Sequence, residues 1–227
     1  WKNWHFNLSA RREYSKIEAE ALSYAFPDNP ALNFSRDNDE YNTAFQAGLR
    51  WEPLADLAFW VRYDRLYRLP STDEIASYQG YPLTVPFNDQ LRAETGDNVE
   101  LGGEWTPGNW TLRANGFYQN LEGEIAYDYL QNLNVNLADT RRSGVETRLG
   151  YRSGMWEANL HYTVLEAVFK SGTYTGKEVY LVPNRELSAT LACRPLEGVT
   201  VQGEYLYVSD SFEGNDFQNI REKLPSY

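Results

Sequence analysis

The sequence predicts an all-β protein, an antiparallel transmembrane β-barrel wall of about nine meander strands. Three observations predict it. Apolar and polar residues alternate with period two through successive stretches. Short connections between those stretches alternate with long ones. Tryptophan and tyrosine gather beside the short connections, on the apolar side.

The first stretch puts Trp4, Phe6, Leu8 and Ala10 on one face. The second does the same with Thr43, Phe45, Ala47, Leu49 and Trp51. In the third, Leu57, Phe59, Val61 and Tyr63 oppose Ala58, Trp60, Arg62 and Asp64. The fourth sets Val99, Leu101, Gly103 and Trp105 against Glu100, Gly102 and Glu104. The fifth sets Trp110, Leu112 and Ala114 against Thr111, Arg113 and Asn115. The sixth has Val145, Thr147, Leu149 and Tyr151 opposite Glu146, Arg148 and Gly150. The seventh has Trp156, Ala158, Leu160, Tyr162 and Val164 opposite Glu157, Asn159, His161 and Thr163. Leu187, Ala189, Leu191 and Cys193 oppose Ser188, Thr190 and Arg194 in the eighth. Val199, Val201 and Tyr205 oppose Gln202 and Glu204 in the last. Only an extended strand places alternate residues on opposite faces. The strands fall at roughly 3–12, 41–51, 57–68, 97–106, 110–120, 137–151, 156–168, 185–194 and 199–209.

Short turns are read at 52–56, 106–109, 152–155 and 195–198, and long connections at about 13–40, 69–96, 121–136, 169–184 and 210–225. An outer-membrane barrel has this asymmetry, with short inner turns and long outer loops. Trp51, Trp105, Trp110, Tyr151 and Trp156 flank the short turns and suit an interfacial girdle. Tyr63, Tyr67, Tyr118, Tyr162, Tyr205 and Tyr207 lie towards the long loops, where an outer girdle belongs. The competing reading is a soluble meander whose aromatics fill a core.

Composition narrows the classes. The 227 residues carry 21 Lys+Arg and 32 Asp+Glu, a formal charge of -11, with 7 Trp, 17 Tyr, 10 Phe and one Cys. No apolar run approaches the ~18 residues of a transmembrane helix. A lone Cys193 excludes an internal disulfide. The acidic balance argues against a nucleic-acid partner, and the aromatic content argues against disorder. The opening Trp1-Lys2-Asn3-Trp4 carries no initiator Met and no leader. The chain is therefore expected to be a piece of a longer protein, with 1–227 a partial barrel domain.

No catalytic constellation is read, and no metal site. His5 and His161 fall on the polar face without partners at zinc-like spacing. Glu100 and Glu104 share that face and are expected to pair with Arg62, Arg113 or Arg148 rather than act as a glycosidase dyad. Gly102-Gly103 sits mid-strand, where glycine marks a bend or a close approach. Recognition is expected in the long loops. They carry Tyr78, Tyr81, Phe87 and Arg92, then Tyr127 and Tyr129, then Tyr174 and Lys177, then Phe212 and Phe217. Aromatics with a few cations suit a bulky, partly anionic chelate. Packing between loops is the plainer use of the same residues.

Several stretches carry a family resemblance. Tyr67-Arg68-Leu69-Pro70-Ser71-Thr72-Asp73-Glu74-Ile75 leads into a long loop. The run from Leu91 to Gly102 is similar to P-E-x-x-x-x-Y-E-L-G, with Ala93 and Val99 as departures. Asn136 to Glu146 ends in Gly144-Val145-Glu146. Gly176-Lys177-Glu178 through Val182-Pro183 to Leu187-Ser188 is similar to G-K-x-x-P-x-V-P-x-H-x-L-S, with Tyr180 in place of the Pro. Tyr207-Val208-Ser209-Asp210 and Leu224-Pro225-Ser226-Tyr227 follow. In this order they resemble the later barrel of TonB-dependent outer-membrane receptors, over about residues 60–227.

The resemblance implies a 22-stranded barrel, of which these would be strands 11 to 19. It implies residence in the bacterial outer membrane and contact with its lipid. It also implies uptake of a scarce ligand, most often a ferric siderophore, energised by a TonB-type partner through a plug outside this chain. No cofactor is implied. A passive porin, a soluble carbohydrate-binding β protein and an adhesion role stay as alternatives.

Nine strands cannot close such a barrel, and both edges would leave backbone groups unpaired in hydrocarbon. Residues 1–227 refolded alone in detergent should therefore give no heat-modifiable monomer on electrophoresis. A sharp, protease-resistant monomer would contradict this.

Overall fold

The computed structural model describes residues 3–22, 28, 33–76 and 87–227. Among them the main sheet is a nine-stranded antiparallel meander. Its strands are β1 (Trp4–Ala21), β2 (Phe34–Leu54), β3 (Leu57–Arg68), β4 (Glu94–Trp105), β5 (Trp110–Glu122), β8 (Thr140–Ser153), β9 (Trp156–Phe169), β10 (Arg185–Leu196) and β11 (Val199–Val208). A second, small hairpin, β6 (Ile125–Asp128) with β7 (Leu133–Asn136), interrupts the order inside the loop after β5. One helical turn, α1 (Thr72–Ile75), lies after β3.

Seven of the nine expected strands sit where the alternation put them, within a few residues. The first two are far longer than 3–12 and 41–51. They pair without interruption from Trp4↔Trp51 to Ala21↔Phe34. Most of the loop expected at 13–40 is thus a two-stranded extension. One face of the β1 half carries Ile17, Ala19 and Ala21 against Glu18 and Glu20, but the β2 half opposite reads Arg36-Asp37-Asn38-Asp39, polar on both faces, so no continuous period two marks the pair. The turns at Gly108, Gly154 and Gly198 take positive φ of 59°, 54° and 75°, which glycine adopts without a Cβ penalty.

The register aligns the apolar residues into one face. Leu57↔Trp105, Val61↔Leu101 and Tyr63↔Val99 pair across β3 and β4, and Leu149↔Leu160 across β8 and β9. That face is bare: Leu8 is 74% exposed and Leu101 65%. A soluble meander would have these aromatics and aliphatics inside, and here they stand outside: Phe6, Leu8, Leu101 and Val201 are all exposed on the same face. Hydrocarbon is the solvent in which such a face is stable.

Girdles bound it. On the short-turn side Trp4 stacks on Trp51 with ring centroids 5.5 Å apart, Trp51 on Phe59 at 6.0 Å, and Trp110 meets Tyr151 at 4.5 Å. On the long-loop side Tyr14 meets Tyr41 at 4.7 Å and Phe45 meets Tyr63 at 6.2 Å. Trp4 to Tyr14 spans about 34 Å of strand at ~3.4 Å per residue. At a tilt of ~40° that is about 26 Å of height, matching the ~25 Å apolar band of such barrels.

Tyr67, expected in the outer girdle, leaves it. Pairing of β2 with β3 stops at Phe45↔Arg65, so the wall splits above that point. Tyr67 crosses the split: its hydroxyl donates to Glu13 Oε2 at 2.6 Å, with the Arg11 guanidinium 6.0 Å from its ring.

Leu101 lies midway between Trp105 and Asp97 on the lipid side of β4. Leu101→Arg should cost about 2–4 kcal/mol in the full-length protein folded into vesicles, whereas Asn98→Arg on the opposite face should cost under about 1 kcal/mol. Denaturant titration followed by tryptophan fluorescence reads both.

Candidate functional site

The long loops fold back over the polar face, which is the lumen side of the wall. After β3, Ser71 caps the helical turn reciprocally with Glu74: the Glu74 amide donates to Ser71 Oγ at 3.3 Å and the Ser71 amide to Glu74 Oε2 at 2.8 Å. Ile75, Phe87 and Leu91 are buried there, packed on Ile17, Ala19 and Phe34 of the β1–β2 extension. Asn38 Nδ2 donates to the Leu91 carbonyl at 2.8 Å, and Glu40 accepts from the Ala93 amide at 3.1 Å. Hence the extension is long because it backs a loop core.

Asparagine side chains then join loop to loop. Asn88 Nδ2 donates to the Asn134 carbonyl at 2.7 Å, and Asn134 Nδ2 to the Glu74 carbonyl at 3.1 Å. Asn136 accepts from the Arg92 amide at 2.9 Å and donates to the Arg92 carbonyl at 2.8 Å. Asn219 brackets Glu178 in the same way, at 2.7 and 3.0 Å. Asn215 Nδ2 donates to the Tyr127 carbonyl at 3.0 Å. Each bond satisfies a backbone group that has no ladder partner in a loop.

A second core sits under the loop after β9. Phe217 is its hub. It stacks on Tyr174 at 5.0 Å, meets Tyr180 edge-on at 5.1 Å and reaches Phe169 at 6.1 Å. The Tyr180 hydroxyl is buried without a hydrogen-bond partner among the described residues. Burial first, and then the carboxylates of Glu124 and Asp128, push its phenol up to about 12.

The residues expected to meet a ligand divide accordingly. Tyr78 and Tyr81 lie outside the described residues. Phe87 is fully enclosed, so its ring holds the loop core instead of facing outward. Tyr174 and Phe217 are partners in the second core. Phe212 lies under the Lys223 ammonium at 4.7 Å. Tyr127 donates its hydroxyl to Asn132 and meets Tyr129 edge-on at 5.3 Å. Tyr129 is 67% exposed at the hairpin tip beside an exposed Leu130. Arg92 and Lys177 also show their side chains to solvent. Sequence alone cannot separate these uses, because a loop core and a ligand platform draw on the same aromatics.

Below the loops the lumen wall is a charged network around a concavity of about 850 Å³. Glu100 accepts from Arg62 at 2.9 Å and from Trp60 Nε1 at 2.8 Å. Asp64 accepts from Arg62 at 2.8 Å and from Gln46 at 2.9 Å. Glu104 faces Arg50 at 3.8 Å rather than Arg113 or Arg148. His5 lies 3.3 Å from Glu52. The Trp60 indole lies flat over Gly102, where an added Cβ would come within 2.3 Å of the ring. Gly102 is therefore a close approach, and Trp60, which period two places on the polar face without a role, is what approaches it.

Comparison with known proteins follows the same outline. The family described as "TonB dependent receptor-like, beta-barrel" matches residues 1–227. Among curated proteins no sequence is similar enough to count as a match. Solved structures share the fold. The ferric-catecholate import receptor Fiu of E. coli K12 superposes with TM-score 0.71 at 14% identity, over 100% of this chain and 35% of that one. The siderophore receptor PiuA of Acinetobacter baumannii gives 0.74 at 18%, over 100% and 33%. The copper transporter OprC gives 0.75 at 13%, over 100% and 36%. This chain thus spans about a third of the length of the structures it matches.

Gly102→Ala should destabilise the full-length protein by about 1–3 kcal/mol through overpacking. Adding Trp60→Ala should recover part of that loss, since the two share one space. Equal and additive losses in thermal melts would show that they do not.

Proposed function

This chain belongs to the TonB-dependent receptor β-barrel family, and from that premise we propose that the whole protein binds a scarce metal chelate outside the cell and moves it across the bacterial outer membrane. A ferric siderophore is the ligand class we favour. Family membership over residues 1–227 is the observation that carries the reading. Neighbours described as a ferric-catecholate import receptor, a siderophore receptor and a copper transporter support a chelated metal as cargo.

The barrel domain here supplies wall and outer loops. A plug and a TonB-type inner-membrane partner would supply the gate and the energy. The exposed candidates Tyr129, Arg92 and Lys177 offer a π face and two cations on the loop surface, chemistry that suits an aromatic, anionic chelate. Tyr78 and Tyr81 remain candidates on the same loops.

A strain lacking the gene should lose accumulation of a labelled ferric siderophore from a panel that includes catecholate, hydroxamate and citrate types, together with a copper chelate. Accumulation should stop when the proton gradient is collapsed. Tyr129→Ala combined with Arg92→Ala should raise the half-saturating concentration about tenfold or more. Uptake of every chelate that persists without the gene, or that ignores the gradient, overturns the proposal.

A further inference from the structure

One part of the lumen wall breaks the rule the rest obeys. Lumen-side arginines are generally matched to carboxylates: Arg11 to Glu13, Arg62 to Glu100, Arg142 to Glu124 and Arg194 to Glu157. Arg113 and Arg148 have no carboxylate partner among the described residues. They are nevertheless direct cross-strand partners, Arg113↔Arg148, with His161 next in line as Arg148↔His161. Cross-strand neighbours on one face stand about 5 Å apart, and like charges in that relation repel.

The acidic groups nearest in register form no ion pair with either arginine. Glu104, opposite Arg113, faces Arg50 at 3.8 Å. Glu146, two residues from Arg148 on the same face, accepts from Asn115 at 3.2 Å. Glu157 is held by Arg152 at 2.8 Å and by Arg194 at 3.0 Å. Arg113 is also fixed in place, because its guanidinium packs on the Trp60 ring at 4.6 Å. Both arginines and His161 are exposed to the lumen. The wall thus presents three adjacent donors, two of them permanent cations, and one is pre-positioned by an aromatic platform.

We propose that Arg113, Arg148 and His161 form an oxyanion-binding site on the lumen wall, for a carboxylate or phosphate group. Two guanidiniums side by side offer the forked donors that such groups accept in pairs. An anion between them converts the repulsion into attraction. The group arrives either on a solute in the lumen or on an acidic side chain of the polypeptide that occupies it. The site does not depend on which chelate the protein carries.

Thermal unfolding of the full-length protein in detergent distinguishes the sources, with sodium phosphate as probe against sodium chloride at equal ionic strength. If a solute fills the site, phosphate raises the melting temperature of the wild type by a few degrees. R113Q/R148Q abolishes that rise and R194Q keeps it. If an internal carboxylate fills it, phosphate changes nothing, and R113Q/R148Q melts a few degrees lower at low salt with the gap closing at high salt. The proposal is overturned if R113Q/R148Q melts as high as the wild type or higher with no phosphate response, which is the relief expected from two unoccupied like charges. A loss that persists unchanged at high salt also overturns it, because packing would then be the cause.

Discussion

Hydrocarbon offers no hydrogen-bond partner to a peptide group, so every strand that crosses it must be laddered on both sides. This constraint explains the continuity of the sheet between the girdles. In the main sheet β3, β4, β5, β8, β9 and β10 are paired on both flanks and β2 is so as far as Phe45↔Arg65, and the pairings run without a break from Leu57↔Trp105 to Arg68↔Glu94 in β3–β4 and from Thr140↔Phe169 to Ser153↔Trp156 in β8–β9. The same constraint relaxes outside the band. There the wall divides between β2 and β3, the loop after β5 makes its own hairpin, and backbone groups are met by asparagine side chains instead of ladders.

With the backbone settled, side chains divide by solvent. The lipid side carries Leu, Val, Phe and Ala between aromatic girdles, and the lumen side carries the Arg62–Glu100 and Arg62–Asp64 pairs and their neighbours. Packing of the soluble kind is confined to two small loop cores, one around Ile75, Phe87 and Leu91 and one around Phe169, Val179 and Phe217. They sit on the lumen side of the wall, which draws the outer loops inward over the opening. Tyr129, Arg92 and Lys177 stay exposed on these loops, above a wall held by continuous ladders.

What could be read from residues alone follows the same division. Inside the band, period two is enforced by two different solvents, so Leu57 to Arg65 or Trp156 to Val164 declare their faces without help. Above the band both faces of β1 and β2 meet water or loop: only the short run Ile17, Ala19 and Ala21 alternates there, β2 opposite is polar on both faces, and their outer halves pass for a loop. The β6–β7 hairpin is not legible because four residues such as Leu133-Asn134-Val135-Asn136 make too short a pattern. Phe87 and Phe217 read as ligand aromatics because nothing local distinguishes a ring that stacks on a chelate from one that fills a loop core. Trp60 and Arg113 belong to different strands, and only the register brings them together over Gly102.

The central claim is that one face of this sheet meets lipid and the other an aqueous lumen. Spin labels placed singly at positions 97 to 105 of the full-length protein in vesicles, with Cys193 replaced by Ser, test it most directly. Collision rates with oxygen, which favours lipid, and with a water-soluble nickel chelate should alternate with period two, oxygen peaking at 99, 101 and 103 and nickel at 98, 100 and 102. Uniformly high nickel access along the strand, or an oxygen maximum on the side of Glu100, would contradict the account.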